Sequence, residues 1–288
     1  MKYSVLMSVY KNEKVEYFVQ ALDSLLNQSV SPDQIVLVRD GTVYDELQDA
    51  IDEYVRKFSD IFTYVPLEQN GGLGNALRTG LCYCRNELVG RMDSDDISAL
   101  DRFEHQLCFM KENEDVDIVG GNISEFSESP EKIIDYRIVP QSHREISDYL
   151  KTRSPFNHVT VMFKKSSVEK VNSYESFYLF EDWYLWVKMY LSGAKFANLD
   201  KVLVNVRISD MANRRGGMKY YRSCVRLLKY MKTHRVIGTV RYIKTCAVRF
   251  CGYVLLPNKT REWAYKKFLR SSKRSAGMQS STKIAQEV

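Results

Sequence analysis

Glycine and proline are scarce in this sequence, and no segment is dominated by them. The 288 residues include 14 glycines and 6 prolines, so no low-complexity linker divides the chain. Apolar residues make up 44% of the sequence and charged residues 27%. This is the composition of a globular protein, and it excludes a mostly disordered or fibrous chain. The length predicts one large domain or two small ones.

Long apolar runs are also missing from the sequence. Every uncharged stretch is much shorter than the roughly 18 apolar residues that a membrane-spanning helix needs. The N-terminal segment lacks the length and cleavage site of a signal peptide, so we expect a cytoplasmic protein. The six cysteines agree with this expectation. Cys82-x-Cys84 does not have the CxxC spacing of a metal site. We expect six reduced, mostly buried thiols.

Acidic residues are nearly missing from the last third of the chain. Residues 201–288 hold 21 lysines and arginines against three acids, a net charge of +18, whereas residues 1–200 have a net charge of −12. Within residues 218–288 the bases alternate with aromatic and aliphatic residues at helical spacing. This pattern predicts a basic amphipathic tail that lies on an anionic membrane surface. The alternative is a helical cap that packs on the rest of the chain and has a solvated basic rim.

The first hundred residues alternate between strand-like and helix-like patterns. Short apolar runs predict strands at Tyr3–Val9, Gln34–Val38, Ile61–Pro66 and Glu87–Met92. Apolar residues at helical spacing predict helices at Val15–Leu26, Tyr44–Phe58 and Leu73–Cys84. Strands and helices in this order form right-handed crossovers in a doubly wound, mainly parallel sheet. The sequence therefore predicts an α/β fold.

The second half of the chain has a mixed pattern. Strands are predicted at Asp115–Phe126, Ile133–Ile138, Val159–Phe163 and Lys195–Arg207. Helices are predicted at His143–Lys151, at Leu179–Leu191 and throughout the residues after Gly217. We therefore divide the chain into a first domain, residues 1–217, with halves of about 1–100 and 101–217, and a helical C-terminal extension, residues 218–288.

Polar residues follow each of the four strands predicted in the first half. They lie at Tyr10–Glu13, Asp40-Gly41, Asn70–Gly74 and Asp93–Asp96. Sheets of this type bind ligands outside the carboxyl ends of their strands. Four polar clusters at one edge predict a nucleotide-binding cleft.

Three carboxylates are crowded into Asp93-x-Asp95-Asp96 at the end of a predicted strand. Like charges this close need a cation or several hydrogen-bond donors. Carboxylate oxygens suit Mg²⁺ or Mn²⁺, which combine one or two carboxylates with diphosphate oxygens. The alternative is that Asp96 caps a helix that begins at Ile97. The position after an apolar strand and beside three other polar clusters favours a metal site at Asp93, Asp95 and Asp96.

Several motifs follow one another in a fixed order along residues 1 to about 220. They are Met7-Ser8-Val9-Tyr10 with Glu13, Asp40-Gly41, Asn70-Gly71-Gly72-Leu73-Gly74-Asn75-Ala76-Leu77, Arg91-Met92-Asp93-Ser94-Asp95-Asp96, Asp117-Ile118-Val119-Gly120, Asn157-His158, Glu181-Asp182 and Arg214-Arg215-Gly216-Gly217. This set resembles the inverting GT-A glycosyltransferases of family 2, nearest to bacterial exopolysaccharide and capsule enzymes of the amylovoran-biosynthesis kind. The resemblance implies a GT-A-type fold, a nucleotide-sugar donor that is usually UDP-linked, and Mn²⁺ or Mg²⁺ as cofactor.

The resemblance and side-chain chemistry together assign roles in the donor site. Asp40 can accept the N3–H of uracil beside an apolar edge formed by Val9 and Tyr10. Glu13 and Asp93 can accept hydrogen bonds from ribose. The alternatives are a plain turn at Asp40-Gly41 and complementation of a helix dipole by Glu13. The other implied donor-site residues are Asn70, Gly72, Asn75, Arg78, Arg214 and Arg215. The resemblance implies that Arg207, Arg214 and Arg215 form a basic loop that closes on the diphosphate. The alternative is a solvated basic surface.

A second pair of carboxylates, Glu181-Asp182, opens a predicted helix. Inverting transfer needs a base that takes a proton from the acceptor hydroxyl as its oxygen attacks the anomeric carbon. Comparison with the family favours Asp182 as this base and Glu181 as its support. The alternative is a pair of first-turn acids that complement the helix dipole. Trp183, Tyr184 and Trp186 follow, either as a wall for a sugar ring or as part of the core.

The sequence therefore predicts an inverting, metal-dependent glycosyltransferase of surface polysaccharide biosynthesis. We expect a UDP-sugar donor, a saccharide acceptor on a polyprenyl lipid, and an enzyme held peripherally on the inner face of the cell membrane by its tail. One alternative is a sugar-phosphate nucleotidyltransferase, but the first strand is followed by Tyr10-Lys11-Asn12-Glu13 rather than by a glycine-rich phosphate loop. Another is a non-enzymatic membrane- or nucleic-acid-binding protein; since a nucleic-acid partner leaves the acidic clusters unexplained, we expect none.

Overall fold

The computed structural model describes residues 1–208 and 216–256, and nine strands of this part form one sheet. The strands are β1 (Tyr3–Val9), β2 (Gln34–Asp40), β3 (Phe62–Leu67), β4 (Leu88–Asp93), β5 (Ile97–Ser98), β6 (Ile118–Phe126), β7 (Ile133–Arg137), β8 (Met162–Lys164) and β9 (Phe196–Arg207). The helices are α1 (Val15–Leu26), α2 (Asp45–Lys57), α3 (Leu73–Tyr83), α4 (Arg102–Glu112), α5 (His143–Leu150), α6 (Lys165–Glu169), α7 (Glu181–Leu191), α8 (Gly217–Thr233) and α9 (Thr239–Phe250).

The strand order is β3-β2-β1-β4-β8-β6-β9-β5, and β7 also pairs with β6. Strands β3, β2, β1 and β4 run parallel to their neighbours. Strand β8 joins β4 to β6 through antiparallel pairing, and β6 and β9 are parallel again. The predicted α/β fold, with its parallel first half and its helical C-terminal region, is confirmed.

Helices cover both faces of the sheet because each carries an apolar stripe. On one face, α1 buries Phe18, Leu22 and Leu25 against the sheet, in a core cluster that also includes residues of α2 and α4. On the other face, α3, α5, α7 and α8 share a second core cluster. The two clusters fix the sheet between layers of helices, which leaves the strand ends free to carry polar groups.

The tail begins with a helix that belongs to this core. Helix α8 buries Tyr220, Cys224, Leu227, Leu228 and Met231, all within the cluster that contains α7. Helix α9 follows and continues into a single π-helical turn at Cys251–Leu255. Among residues 1–208 and 216–256, no helix combines the length and the apolar character needed to cross a membrane.

Several sequence predictions are wrong in detail. Ile97–Ser98 form strand β5, which pairs with β9, so Asp96 does not cap a helix. Helix α4 was not predicted, and Val159–Phe163 is not one strand, because residues 158–160 form a 3₁₀ turn before β8.

The start of α7 and the environment of the cysteines also differ from the prediction. Helix α7 starts at Glu181, since Leu179 has a φ of 57° that a helix cannot contain. All six cysteines are free thiols, but Cys82, Cys108 and Cys251 are exposed rather than buried.

Candidate active site

The sheet register brings the predicted polar clusters to one edge. Strand β1 lies between β2 and β4, with Ser8 opposite Asp93 on one side and Val9 opposite Arg39 on the other. Asp40 therefore ends its strand next to the residues that follow β1, and Asp93 does so from the opposite side. The prediction that separate strand ends meet at one place is confirmed.

The Asp40 carboxylate holds the turn that precedes α3. It accepts the backbone N–H of Gly71 at 2.7 Å and that of Gly72 at 2.9 Å, and the Asn70 side chain donates to the Asp40 carbonyl oxygen at 3.0 Å. Gly41 has a φ of 83°, and a Cβ there would lie 2.7 Å from the Asn70 nitrogen. The Asp40 side chain thus holds the turn before α3, a structural role that the sequence analysis did not predict. Its contact with uracil stays a prediction.

Asp93, Asp95 and Asp96 form an acidic cluster in which one oxygen from each lies within 4.8 Å of the others. Asp96 is buried and accepts the backbone N–H of Arg207 at 2.8 Å, so the end of β9 fixes its position. Glu13 lies beside the cluster, where its carboxylate accepts hydrogen bonds from the Ser94 hydroxyl and from the Lys14 backbone N–H.

The acidic cluster is electrostatically unfavourable by itself. Burial, together with the charges of Asp93 and Glu13, raises the pKa of Asp95 to about 7. Burial, and then the charges of Asp95 and Asp93, raise the pKa of Asp96 well above its ordinary value. Burial also raises the pKa of Glu13. A divalent cation would reverse these shifts, and three carboxylates are a donor set that Mg²⁺ or Mn²⁺ prefers.

A fully buried arginine, Arg91, lies between the two acidic regions of the site. Its guanidinium forms a two-pronged ion pair with Asp93. Burial opposes the charge of Arg91, but the carboxylate of Asp93 and the nearby Tyr174 hydroxyl outweigh it and raise the pKa of the guanidinium. The same charge acts on Glu181, whose pKa it lowers. The sequence analysis gave Arg91 no role, although an arginine inside an apolar strand was a signal.

Glu181 and Asp182 begin α7 and are half-buried, and their charges act on Tyr174 together with those of Arg91 and Asp93. Burial, together with the charge of Asp182, raises the pKa of Glu181 to about 7. The Ser154 hydroxyl donates to the Asp182 carboxylate at 3.0 Å. The start of α3 packs closely here, since a Cβ on Gly74 would lie 2.7 Å from the Glu175 carbonyl oxygen and 3.4 Å from the Glu181 Cβ.

Arg207 does not belong to a basic loop. It ends β9, is buried, and its guanidinium stacks 3.8 Å from the centre of the Tyr17 ring. The guanidinium donates to Gln20 at 2.6 Å and to the Asp95 carbonyl oxygen at 3.2 Å. Arg207 therefore anchors the acidic cluster, which corrects its predicted role. Arg214 and Arg215 lie outside the described residues.

The remaining predicted residues are distributed between the core and the surface. Val9 is fully buried, so its backbone alone can reach a bound base, whereas Tyr10 is half-buried at the edge. Asn75 and Arg78 are exposed on α3. Trp183 and Trp186 are buried in the core, which supports the packing alternative for both.

The chain is similar in sequence to known glycosyltransferases. A family model described as "Glycosyl transferase family 2" matches residues 4–172. The chain is 39% identical to the Escherichia coli UDP-Gal:alpha-D-GlcNAc-diphosphoundecaprenol beta-1,3-galactosyltransferase over 93% of its own length and 97% of the relative. It is 36% identical to the amylovoran biosynthesis glycosyltransferase AmsE of Erwinia amylovora, over 92% and 98% of the two chains.

A solved structure shares the fold at lower sequence identity. It is S. aureus TarS 1–349 in complex with UDP-GlcNAc, which matches with a TM-score of 0.65 and 20% sequence identity. The match covers 93% of this chain and 77% of that one. The likeness extends beyond the residues that the family model matches.

Proposed function

The chain belongs to glycosyl transferase family 2, and on this premise we propose that it transfers a sugar from a UDP-sugar to a saccharide carried on a polyprenyl diphosphate. It is a glycosyltransferase, as its resemblance to the exopolysaccharide enzymes implied. The observation that carries the finer proposal is the meeting of two acidic groups at one edge of the sheet. These are the cluster of Asp93, Asp95 and Asp96 and the pair Glu181-Asp182, with Arg91 between them.

The proposed donor site lies along the ends of β1, β2 and β4. Asp40 and Tyr10 face the uracil, and Glu13 and Asp93 face the ribose. The turn from Asn70 to Gly72 and the exposed Asn75 and Arg78 line the approach to the diphosphate. Two features support a UDP donor: a relative is named for a UDP-galactose reaction, and a structure with the same fold binds UDP-GlcNAc.

The acidic cluster is the proposed site for Mn²⁺ or Mg²⁺. Asp95 and Asp96 would hold the ion, with Asp93 as a third carboxylate whose other contact is Arg91. When bound, such an ion neutralises the charge that develops on the leaving diphosphate. The raised pKa values of Asp95 and Asp96 support this assignment. A nearby cation stabilises the charged form of buried carboxylates that repel one another.

Asp182 is the proposed base. Its carboxylate takes the proton of the acceptor hydroxyl while the acceptor oxygen forms a bond to the anomeric carbon and the bond to the diphosphate breaks. Attack on the face opposite the diphosphate inverts the configuration at this carbon. The hydrogen bond from Ser154 orients the Asp182 carboxylate. Glu181, whose pKa is raised to about 7, supports the site from the preceding position.

The proposed acceptor determines where the enzyme works. A saccharide on a polyprenyl diphosphate is held at a membrane surface, so we place the enzyme peripherally on the inner face of the cell membrane. The name of the E. coli relative, which specifies a diphosphoundecaprenol-linked saccharide, supports this acceptor class. The basic tail is the proposed point of attachment.

The test is a screen of UDP-sugars for released UDP, with and without Mn²⁺, Mg²⁺ or EDTA. We expect one UDP-sugar to be turned over, with EDTA abolishing turnover and added cation restoring it. Asp95→Asn and Asp96→Asn should abolish the cation-stimulated rate and weaken UDP binding, because the charge balance at the diphosphate is lost. Asp60→Asn, which changes an exposed aspartate, is the matched control and should behave as wild type.

Two outcomes would contradict the proposal. Full activity of the wild-type protein in EDTA would remove the metal from the mechanism. Turnover of no UDP-sugar in the presence of a polyprenyl-linked acceptor would remove the donor class, although the chain would remain a member of the family.

A further inference from the structure

Helix α9 presents an apolar stripe to solvent. Four side chains carry most of it: Val240 is 82% exposed, Ile243 61%, Val248 63% and, in the π-helical turn that follows, Leu255 62%. Ala247 and Cys251 are exposed between them. In a helix with 100° per residue these positions fall on one side. We call this set the outer stripe.

The opposite side of α9 is fixed to the body of the protein. Tyr242, Cys246 and Tyr253 pack against the core cluster that contains α7 and α8. The Phe250 ring lies 5.3 Å from the Tyr221 ring, measured between centres, and the Tyr253 ring lies 4.7 Å from that of Tyr220. Helix α9 is therefore a packed element that has a second apolar side, and the outer stripe is not needed to hold it in place.

Basic residues accompany the outer stripe. Arg241 and Lys244 are both exposed on the same side of the helix. Residues 216–256 contain nine lysines and arginines and no aspartate or glutamate. Apolar side chains flanked by cations, without acids, complement the interface of a membrane with anionic headgroups. With a length of about 18 Å, at 1.5 Å per residue, α9 suits a position in the plane of such an interface rather than across it.

We propose that the outer stripe, with Arg241 and Lys244, is the surface by which this protein docks on a membrane of anionic phospholipids. The proposal rests on the proposed function for its biological sense, because a polyprenyl-linked acceptor lies in such a membrane. It goes further than the proposed function because it assigns one side of one helix, α9, to the lipid.

The docked orientation brings the proposed base close to the acceptor. Arg249, on the inner side of α9, donates a hydrogen bond to the Thr152 carbonyl oxygen at 2.6 Å. Its guanidinium also lies 6.0 Å from the centre of the Trp183 ring. Thr152 is two residues from Ser154, which donates to Asp182, and Trp183 follows Asp182 directly. Through Arg249, helix α9 thus contacts both the segment that carries Ser154 and the residue that follows Asp182.

Vesicle binding of the full-length protein tests the proposal. The probe is a vesicle of equal parts phosphatidylglycerol and phosphatidylcholine, and the readout is co-sedimentation. Val240→Gln, Ile243→Gln and Val248→Gln together should lower the partition coefficient at least about tenfold, since three apolar contacts are lost. Arg241→Gln with Lys244→Gln should lower it about fivefold for each base. The matched control is Leu100→Gln, Ile134→Gln and Leu191→Gln, three exposed apolar residues elsewhere, which should bind as wild type.

A second measurement keeps the four apolar side chains of the stripe. Cys251 lies within it, and Cys108 is exposed on α4. A polarity-sensitive maleimide dye on Cys251, in a chain with Cys82→Ser and Cys108→Ser, should shift its emission to the blue when vesicles are added. The same dye on Cys108, in a chain with Cys82→Ser and Cys251→Ser, should show no shift.

The outcomes separate this proposal from the proposed function. Equal vesicle binding by wild type and the stripe variant, or no blue shift at Cys251, would overturn the docking surface. A wild-type dimer in analytical ultracentrifugation that the stripe variant converts to a monomer would assign the stripe to a second copy of the chain instead. If the stripe variant loses vesicle binding and keeps transfer to a water-soluble acceptor, both proposals stand. If vesicle binding behaves as expected but no UDP-sugar is turned over, the function fails and the docking surface stands.

Discussion

At the scale of single residues, the site depends on one buried cation between two groups of acids. Arg91 is enclosed by the core, and its side chain pairs with Asp93 while its charge reaches Glu181. A charge in such a place is retained only when partners compensate for its burial. The charge of Arg91 therefore acts on both acidic groups, through an ion pair with Asp93 and at longer range on Glu181.

Replacement of the proposed base separates binding from transfer. Asp182→Asn keeps the shape and the Ser154 contact but removes the proton acceptor. We expect UDP binding, measured by calorimetry, to survive and the rate of transfer to fall by roughly 10² to 10⁴. Wild-type transfer by Asp182→Asn, together with a large loss in Glu181→Gln, would move the role of base to Glu181.

The raised pKa of Glu181 predicts a dependence of stability on pH. Burial raises this pKa from 4.5 to about 7, so the folded protein binds the proton more tightly than the unfolded chain does. Its stabilising contribution is therefore complete below pH 4.5 and is lost as the pH rises through about 7. Glu181→Gln should be more stable than wild type at pH 8, by up to about 3 kcal/mol, and the difference should vanish toward pH 4.5.

Melting temperatures measured in EDTA across this pH range provide the test. Glu68→Gln, an exposed glutamate at the end of β3, is the control and should show no such trend. A constant difference between Glu181→Gln and wild type at every pH would contradict the assigned pKa.

At the scale of elements, the site is an arrangement of helix and strand ends. The end of β9 holds Asp96 through the Arg207 backbone, and strand β5 ties the chain after the acidic cluster to the same β9. On the other side, α3 and α7 meet at their N-termini, where Gly74 leaves no space for a side chain. The positions of Asp96 and Glu181 are therefore set by contacts between elements that are far apart in the sequence.

The contact between α3 and α7 predicts the effect of adding one methyl group. In Gly74→Ala the new Cβ would lie 2.7 Å from the Glu175 carbonyl oxygen, so α3 must move away from the segment that leads into α7. We expect a loss of about 1–3 kcal/mol in the free energy of unfolding and a slower transfer. Gly252→Ala, where no atom lies within 4 Å of the added Cβ, is the control and should keep both stability and activity. Equal behaviour of the two variants in urea unfolding would contradict this packing.

At the scale of the whole molecule, the first domain and the tail share a core. Helix α8 contributes five buried side chains to the cluster that also includes α3, α5 and α7. The division of the chain after residue 217 stays a prediction. It separates the proposed catalytic residues from the basic tail by function. The shared cluster indicates that α8 and the sheet unfold together.

A core substitution in α8 tests this cooperativity. Leu228→Ala should lower the free energy of unfolding by about 2–5 kcal/mol, because Leu228 is fully buried. Calorimetry should show a single transition that shifts as a whole, and UDP binding should be lost at the same temperature. Met218→Ala, an exposed residue on the same helix, should change the stability by less than about 0.5 kcal/mol. A separate low-temperature transition in Leu228→Ala would show that the tail folds independently.

Local patterns in the sequence were enough to predict the parallel half of the sheet and the residues at its edge. Strand β1 and helix α1 have the predicted bounds, since apolar spacing and turn residues are properties of adjacent positions. Asp93, Asp95 and Asp96 were found in the same way, because a cluster within four residues needs no knowledge of the fold.

Only the tertiary structure decided which partners these residues have. Asp96 proved to be held by Arg207, more than a hundred residues away, and the short strand β5 exists because β9 is there to pair with it. The burial of Arg91 and the outward side of α9 likewise depend on which elements pack around them. Sequence periodicity reports which residues share a face of a helix or strand, but the contacts that bury or expose that face form between distant segments, and a single sequence does not encode them locally.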